Sequence, residues 1–231
     1  MVGGRLGSMI VVVEGPSAAG KTTWCGRHAS RWLPEPGRGP IDQVLRYQIA
    51  RWRRAVADDA QGELVVLDGD PFKLYYSWAA WRAGALSDHE WAVTVETTRR
   101  HFVAGDYGVA DLVLYADPGE EELRRRKAAD HTRSRRNFEE NTNLRPHFRR
   151  WYETLSRLDP TRVVWEHPTH GLTDDLLAVG RRASRSDPRL FDDLLAGLST
   201  EHCAGDWRRH AERYPSRPAA AVSAASRRST N

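Results

Sequence analysis

Four short apolar runs are spaced along the chain, separated by longer stretches with helical patterning. Each run is continuous instead of alternating, which is typical of parallel strands that are covered on both faces. The runs lie within Ile10 to Val13, Leu64 to Leu67, Asp111 to Ala116 and Arg162 to Glu166. Strands that alternate with helices predict an α/β fold, with a parallel β-sheet of about five strands flanked by helices on both faces.

The helical patterns occupy the intervals between these strands. We expect helices at about residues 21–32, 41–58, 144–158, 172–183 and 188–198, with another that begins near Glu120. An aromatic helical region follows Pro71, breaks near Gly84 and resumes after Ser87. There Ser87 and Glu90 have the spacing of a capping box.

Polar and glycine-rich loops follow the predicted strands, after Val13, Leu67, Ala116 and Glu166. In open parallel sheets, ligands bind outside the carboxyl ends of the strands. The sequence therefore predicts one shared site at this edge of the sheet.

The first of these loops carries the strongest motif, since Gly15 to Thr22 fits the pattern G-x-x-x-x-G-K-[ST] of a phosphate-binding loop. Gly15 and Gly20 allow the backbone to curl its N–H groups around an anion, and a helix N-terminus follows. Lys21 is expected to reach the β- and γ-phosphates of ATP, and Thr22 to bind Mg²⁺. A glycine-rich turn that matches by chance is the alternative. The predicted nucleotide-binding residues of this segment are Gly15, Ser17, Ala18, Ala19, Gly20, Lys21, Thr22 and Thr23.

A carboxylate closes the second strand, where Asp68 follows four apolar residues. This pattern places an acidic side chain beside a metal bound by Thr22, so we expect Asp68 to act in catalysis and as a Mg²⁺ ligand. An aspartate that caps the next helix is the alternative. Asp70 is a second candidate, or the N-cap before Pro71.

Basic residues are dense between Arg124 and Arg136. We expect an arginine-rich lid at about 127–143, in which Arg133 and Arg135 act in catalysis and Arg136 binds the nucleotide. A solvated basic face is the alternative. An aromatic run from Phe72 to Trp81 could line an acceptor pocket, although such side chains more often form helix core.

Composition limits the classes of protein. With 231 residues, 40% of them hydrophobic, we expect one kinase domain over 9–215, a flexible leader over 1–8 and a disordered tail over 216–231. No apolar run is long enough to cross a membrane, and two cysteines make no disulfide framework. We therefore expect a cytoplasmic protein. The net charge is +4, but 31 acidic residues are interspersed, which favours phosphate chemistry over nucleic-acid binding.

The chain resembles the deoxynucleoside kinase and thymidylate kinase group of P-loop kinases. The resemblance lies in Val13 to Thr22, in Pro34-Glu35-Pro36, in the Glu90-Trp91 helix and in the segment Leu144 to Leu155, and spans about residues 10–170. It implies that Glu35 is the catalytic base and that the partner is a small-molecule acceptor, a nucleoside, nucleotide or hydroxylated metabolite. A homodimer is an open alternative.

The chain also departs from this group. Asp68-Gly69-Asp70 stands where the group has a motif with an arginine that holds the acceptor. An antibiotic or secondary-metabolite O-phosphotransferase similar to chloramphenicol phosphotransferase is therefore a second hypothesis. A regulatory P-loop NTPase is a third, and a nucleic-acid 5′-hydroxyl kinase is disfavoured because no basic groove extends beyond the lid.

Overall fold

The computed structural model describes residues 8–35, 41–131 and 137–199. The predicted leader and tail therefore fall almost entirely outside the described residues. In these ranges, five parallel strands form one sheet in the order β2-β3-β1-β4-β5. The strands are β1 (Met9–Glu14), β2 (Trp32–Leu33), β3 (Leu64–Asp68), β4 (Leu112–Tyr115) and β5 (Val163–Val164). The predicted parallel sheet is confirmed.

Helices cover both faces of the sheet. They are α1 (Lys21–His28), α2 (Ile41–Ala60), α3 (Leu74–Arg82), α4 (Asp88–Val103), α5 (Glu120–Ala129), α6 (Phe138–Leu158), α7 (Asp174–Leu177) and α8 (Pro188–Ser199), with a 3₁₀ turn at Ala183–Ser186. No helix in the described ranges has the length and apolar character that a bilayer span requires.

The central strand β1 is buried on both sides, which explains its continuous apolar sequence. Ile10 and Val12 face a large core that is shared with α2, α3, α6 and α8. Met9, Val11 and Val13 face a smaller core with Trp24 and Cys25 of α1. The sheet thus fixes the position of the loop that follows β1.

Several boundaries differ from the predictions. β2 was not predicted, because two residues have no periodicity; it exists through its pairing with Val66 and Leu67. Helix α6 begins at Phe138, before the expected 144, so part of the predicted lid segment 127–143 is helical. The helix expected at 172–183 shortens to α7, which is followed by Gly180 at a φ of +63°. The capping box of α4 is confirmed, because Ser87 and Glu90 exchange both hydrogen bonds.

A buried ionic cluster lies at the amino end of the strands. Arg185 Nη1 donates to Asp59 Oδ2 at 2.6 Å, and its Nε donates to Asp111 Oδ1 at 2.8 Å. Asp111 Oδ2 in turn accepts from the backbone N–H of Ile10 at 2.7 Å. The cluster ties the 3₁₀ turn to α2 and β1, at the edge of the sheet away from the loops that carry the candidate site.

Candidate functional site

The loop between β1 and α1 has the backbone geometry of an anion cradle. Gly15, Ala18 and Gly20 have φ angles of +151°, +72° and +98°, and such turns make adjacent N–H groups converge. A Cβ atom on Gly15 would lie 2.3 Å from the carbonyl oxygen of Ala116, so only glycine fits there. Helix α1 begins directly after the loop, which adds the N–H groups of its first turn.

The side chain of Lys21 folds back over this loop. Its Nζ donates to the carbonyl oxygen of Gly15 at 2.6 Å and lies 3.5 Å from Oε1 of Glu14. The ammonium is therefore held at the rim of the cradle, where a bound phosphate would meet it.

Thr22 and Asp68 meet beside the cradle. The Thr22 hydroxyl donates to Asp68 Oδ2 at 2.7 Å, while Asp68 Oδ1 is buried without a hydrogen-bond partner in the described part of the chain. Burial raises the pKa of Asp68, and the Thr22 hydrogen bond and the Lys21 charge oppose that rise. Asp68 makes this contact and does not cap α3, because the N-cap residue of α3 is Lys73.

This pair fits Mg²⁺, which prefers hard oxygen ligands and keeps several waters or phosphate oxygens. The buried Asp68 Oδ1 is an oxygen that a cation would satisfy. Within the described ranges no three His, Cys, Asp or Glu side chains form a metal cluster. An ion here would therefore complete its shell with phosphate oxygens and water.

Glu35 lies at the end of β2, close to the same edge. A Cβ atom on Gly69 would come within 3.1 Å of the Glu35 carboxyl carbon, so the carboxylate lies against the backbone that follows Asp68. Lys73 Nζ donates to Glu35 Oε1 at 2.7 Å. Burial would raise the pKa of Glu35, but the charges of Lys73 and Lys21 outweigh it and lower that pKa to about 2. The carboxylate is thus ionised at any physiological pH.

Two further carboxylates, Glu14 and Asp70, are buried beneath the cradle. Glu14 accepts hydrogen bonds from the N–H groups of Gly15 and Asp70, both at 2.8 Å, and from the Tyr75 hydroxyl at 3.1 Å. Asp70 accepts from the Tyr152 hydroxyl at 3.1 Å. Burial, together with the charge of Glu14, raises the pKa of Asp70 to about 7. The pair joins the loops after β1 and β3 to α3 and α6.

Sequence patterns indicated no role for Glu14 or Tyr152, and placed Tyr75 only in the aromatic run of a possible acceptor pocket. A carboxylate that ends an apolar strand just before a glycine is a signal that could have marked Glu14. Asp70 is not an N-cap: its Oδ1 accepts from the N–H of Phe72 in a local turn before α3.

Arg51 of α2 is another residue that the sequence analysis missed. Its guanidinium is buried and donates to the carbonyl oxygens of Leu33 at 3.1 Å, Asp68 at 2.7 Å and Gly69 at 3.2 Å. Burial lowers the pKa of Arg51, although the nearby Glu35 opposes the change. Arg51 therefore fastens the strand ends that carry Glu35 and Asp68.

The predicted lid arginines Arg133, Arg135 and Arg136 lie outside the described residues. Of the basic residues that precede them on α5, Arg126 reaches the cradle, where its Nη1 donates to the carbonyl oxygen of Ala19 at 2.9 Å. Arg125 is exposed and pairs with Glu122 on its own helix at 2.6 Å, which fits the alternative interpretation of a solvated basic face.

The aromatic run packs into the core, and the hydroxyl of Tyr75 also reaches the candidate site. Phe72 and Trp78 are buried and pack against Trp151, so for them the core interpretation holds. Tyr75 turns its hydroxyl to Glu14 and Lys73. The cradle, Lys21, Thr22, Glu35 and Asp68 thus lie together at one edge of the sheet, and their roles remain predictions.

No protein-family model and no curated protein matches the sequence. Among solved structures, the chain is similar to deoxyadenosine kinase from M. mycoides with bound dATP. The TM-score is 0.53 and the identity 13%, over 73% of this chain and 95% of that chain. Two further structures of that enzyme match less well. With the products dCMP and a flexible dCDP bound, the TM-score is 0.49 and the identity 10%, over 84% and 100% of the two chains. With dCTP bound, the TM-score is 0.46 and the identity 12%, over 73% of this chain and 94% of that chain.

The likeness to the dATP complex shows that this chain has a P-loop fold of the deoxynucleoside kinase type. The fold expected from the sequence resemblance is therefore confirmed.

Proposed function

We propose that this protein is a kinase that transfers the γ-phosphoryl group of ATP to a hydroxyl group of a small molecule. The observation that carries the proposal is the convergence of an ionised carboxylate, Glu35, with the anion cradle and Lys21 at one edge of the sheet. Phosphoryl transfer needs mainly positioning and charge stabilisation, and these groups supply both.

Each group has a defined task in this proposal. The N–H groups of the cradle and the Lys21 ammonium bind the triphosphate, and Thr22 and Asp68 would hold Mg²⁺. When bound, that ion would neutralise part of the negative charge of the phosphates. The lid residues Arg133, Arg135 and Arg136 remain predicted phosphate contacts.

At phosphorus, the reaction forms one bond and breaks one, and a proton moves from the acceptor to the protein. A lone pair of the acceptor hydroxyl forms an O–P bond to the γ-phosphorus, while the bond from that phosphorus to the β–γ bridging oxygen breaks, and its electron pair leaves with ADP. The hydroxyl proton passes to the carboxylate of Glu35.

Charge favours a hydroxyl over a phosphate as the acceptor group. Glu35 is exposed, and in the described part of the chain the cations that act on it already have partners. Lys73 contacts Glu35 itself, Lys21 donates to the carbonyl oxygen of Gly15, and Arg51 donates to three backbone carbonyls. An anionic acceptor group next to Glu35 would meet like-charge repulsion. The deoxyadenosine kinase fold makes nucleosides the first class of acceptor to test.

A screen of acceptors tests the proposal. Purified protein with ATP and Mg²⁺ is incubated with deoxynucleosides, ribonucleosides, nucleoside monophosphates and hydroxylated antibiotics, and ADP release is measured. We expect ADP release that depends on an acceptor hydroxyl, with a product heavier by one phosphoryl group by mass spectrometry.

The other results distinguish the alternatives. If only an antibiotic supports turnover, the protein is an O-phosphotransferase similar to chloramphenicol phosphotransferase. If only nucleoside monophosphates support turnover, it is a nucleotide kinase. ATP hydrolysis that no acceptor accelerates would favour a regulatory NTPase and contradict the proposal.

A further inference from the structure

Lys73 is one of three lysines in a chain with 35 basic residues, and it lies against the candidate base. Its Nζ is 2.7 Å from Glu35 Oε1, 3.2 Å from the Tyr75 hydroxyl and 4.0 Å from Glu14 Oε2. The ammonium therefore bridges the exposed carboxylate of the cleft and the buried carboxylate beneath the cradle.

The backbone around Lys73 is fixed by the start of α3. Lys73 is the N-cap residue of that helix, and its N–H donates to the carbonyl oxygen of Pro71 at 2.9 Å. Its side chain is 27% exposed, against 40% for Glu35. An exposed ion pair contributes little when both side chains are mobile. Here one partner is anchored by Tyr75 and Glu14, so Lys73 can hold Glu35 in one orientation.

We propose that Lys73 is a positioning residue for Glu35, holding Oε1 so that Oε2 is presented to the acceptor hydroxyl. This proposal rests on the proposed kinase function, in which Glu35 accepts the hydroxyl proton.

The environment of Lys73 suits this task. Burial works against its charged form, but the carboxylates of Glu35 and Glu14 more than offset it, so the pKa of Lys73 is raised. Gly69 completes the arrangement, because a side chain at its φ of +76° would be strained and would meet the Glu35 carboxylate. The lysine is thus a cation at any physiological pH, where Glu35 is ionised.

A double-mutant cycle on the full chain tests the proposal. The variants are Lys73→Met, Glu35→Gln and the two together, assayed with ATP and the fastest acceptor of the screen above, starting with deoxyadenosine. Loss of the positioning contact should lower kcat by about 10- to 100-fold, because a small misplacement of a reacting group is costly. The KM for ATP should stay within about twofold, since Lys73 does not line the cradle.

The decisive result is the double variant. If Lys73 acts through Glu35, then Lys73→Met should cost nothing further once Glu35→Gln is present. Lys73→Arg, which retains a cation, should recover most of the activity. Arg53→Ala is the matched control, because it breaks another basic–acidic pair, with Asp106 at the far end of the strands, and should leave kcat unchanged.

Other outcomes overturn the proposal in distinguishable ways. If the losses of the two single variants multiply in the double variant, Lys73 acts independently of Glu35 and the positioning role is wrong while the kinase assignment stands. If Glu35→Gln is fully active, the base assignment fails and the role of Lys73 fails with it. Should Lys73→Met not fold, Lys73→Gln, which keeps a hydrogen-bond donor, provides the same comparison.

Discussion

The Thr22 hydroxyl donates a 2.7 Å hydrogen bond to Asp68 Oδ2, although 46 residues separate them in the sequence. The register of β1 and β3 produces this contact, because Val13 pairs with Asp68 and the carboxyl ends of the two strands coincide. The sheet thus places the proposed metal-binding oxygens together before any ion binds.

Asp68→Asn should weaken Mg²⁺ binding while preserving the fold, since the amide oxygen can still accept from Thr22. We expect a higher Mg²⁺ concentration for half-maximal activity, with partial rescue at high Mg²⁺, because a neutral ligand replaces a carboxylate. Titration of activity with Mg²⁺ measures this shift. Asp70→Asn is the matched comparison, because Asp70 contacts Tyr152 and not Thr22. A larger Mg²⁺ shift in Asp70→Asn than in Asp68→Asn would transfer the metal assignment to Asp70.

Lys21→Ala should lower turnover strongly and weaken ATP binding without unfolding the chain. Glu14, which loses a nearby cation, still accepts hydrogen bonds from Gly15, Asp70 and Tyr75, so it is not left without partners. Loss of one charge-stabilising group at a transferring phosphoryl typically lowers kcat by about 10²- to 10³-fold. Turnover assays, calorimetric ATP titration and thermal melting separate these effects. Turnover at the wild-type rate would rule out the phosphate-binding assignment.

Glu35→Gln should bind ATP normally while kcat falls by about 10²- to 10⁴-fold, the usual contribution of a general base. The pH dependence gives a second check. Because the pKa of Glu35 is lowered to about 2, the carboxylate stays ionised down to that value. The wild-type kcat/KM should therefore show no acid limb near the ordinary glutamate pKa of about 4.3. An acid limb at that pH, absent in Glu35→Gln, would show that Lys73 and Lys21 do not control this carboxylate.

Local sequence predicts the backbone conformation of the cradle and the position of one strand end. The cradle depends on backbone conformation, and Gly15 and Gly20 mark that conformation directly. The apolar run before Asp68 indicated a strand end beside the cradle, which the pairing of β1 with β3 confirms. Glu35 was assigned from a resemblance, because a glutamate between two prolines has no pattern of its own.

The supporting contacts could not be predicted, because they join residues that are distant in the chain. Lys73 and Glu35 are 38 residues apart, and Tyr152 and Asp70 are 82 apart. Arg51 looks in sequence like any polar position of an amphipathic helix, and its three carbonyl contacts arise only when α2 packs on β3. β2 also forms only through its pairing with β3, because its two residues are too few to show a strand pattern in the sequence.

Arg185→Met should destabilise the protein strongly without impairing catalysis. It would leave Asp59 and Asp111 buried without their shared cation, and breaking a buried ion pair by removing one partner typically costs about 3–5 kcal/mol. Urea denaturation should show that decrease in the free energy of unfolding. The kcat per folded molecule should not change, because the cluster lies at the opposite end of the strands from Lys21.

Arg181→Met is the matched control for this prediction. Arg181 also faces Asp59, at 3.4 Å, but its side chain is 54% exposed, and exposed pairs contribute about 1 kcal/mol or less. Adding Asp59→Asn to Arg185→Met should recover part of the loss, since it removes one of the two buried carboxylate charges that Arg185 neutralises. Equal losses in Arg185→Met and Arg181→Met, or no recovery in the double variant, would contradict an electrostatic origin and leave the packing of the Arg185 side chain as the cause.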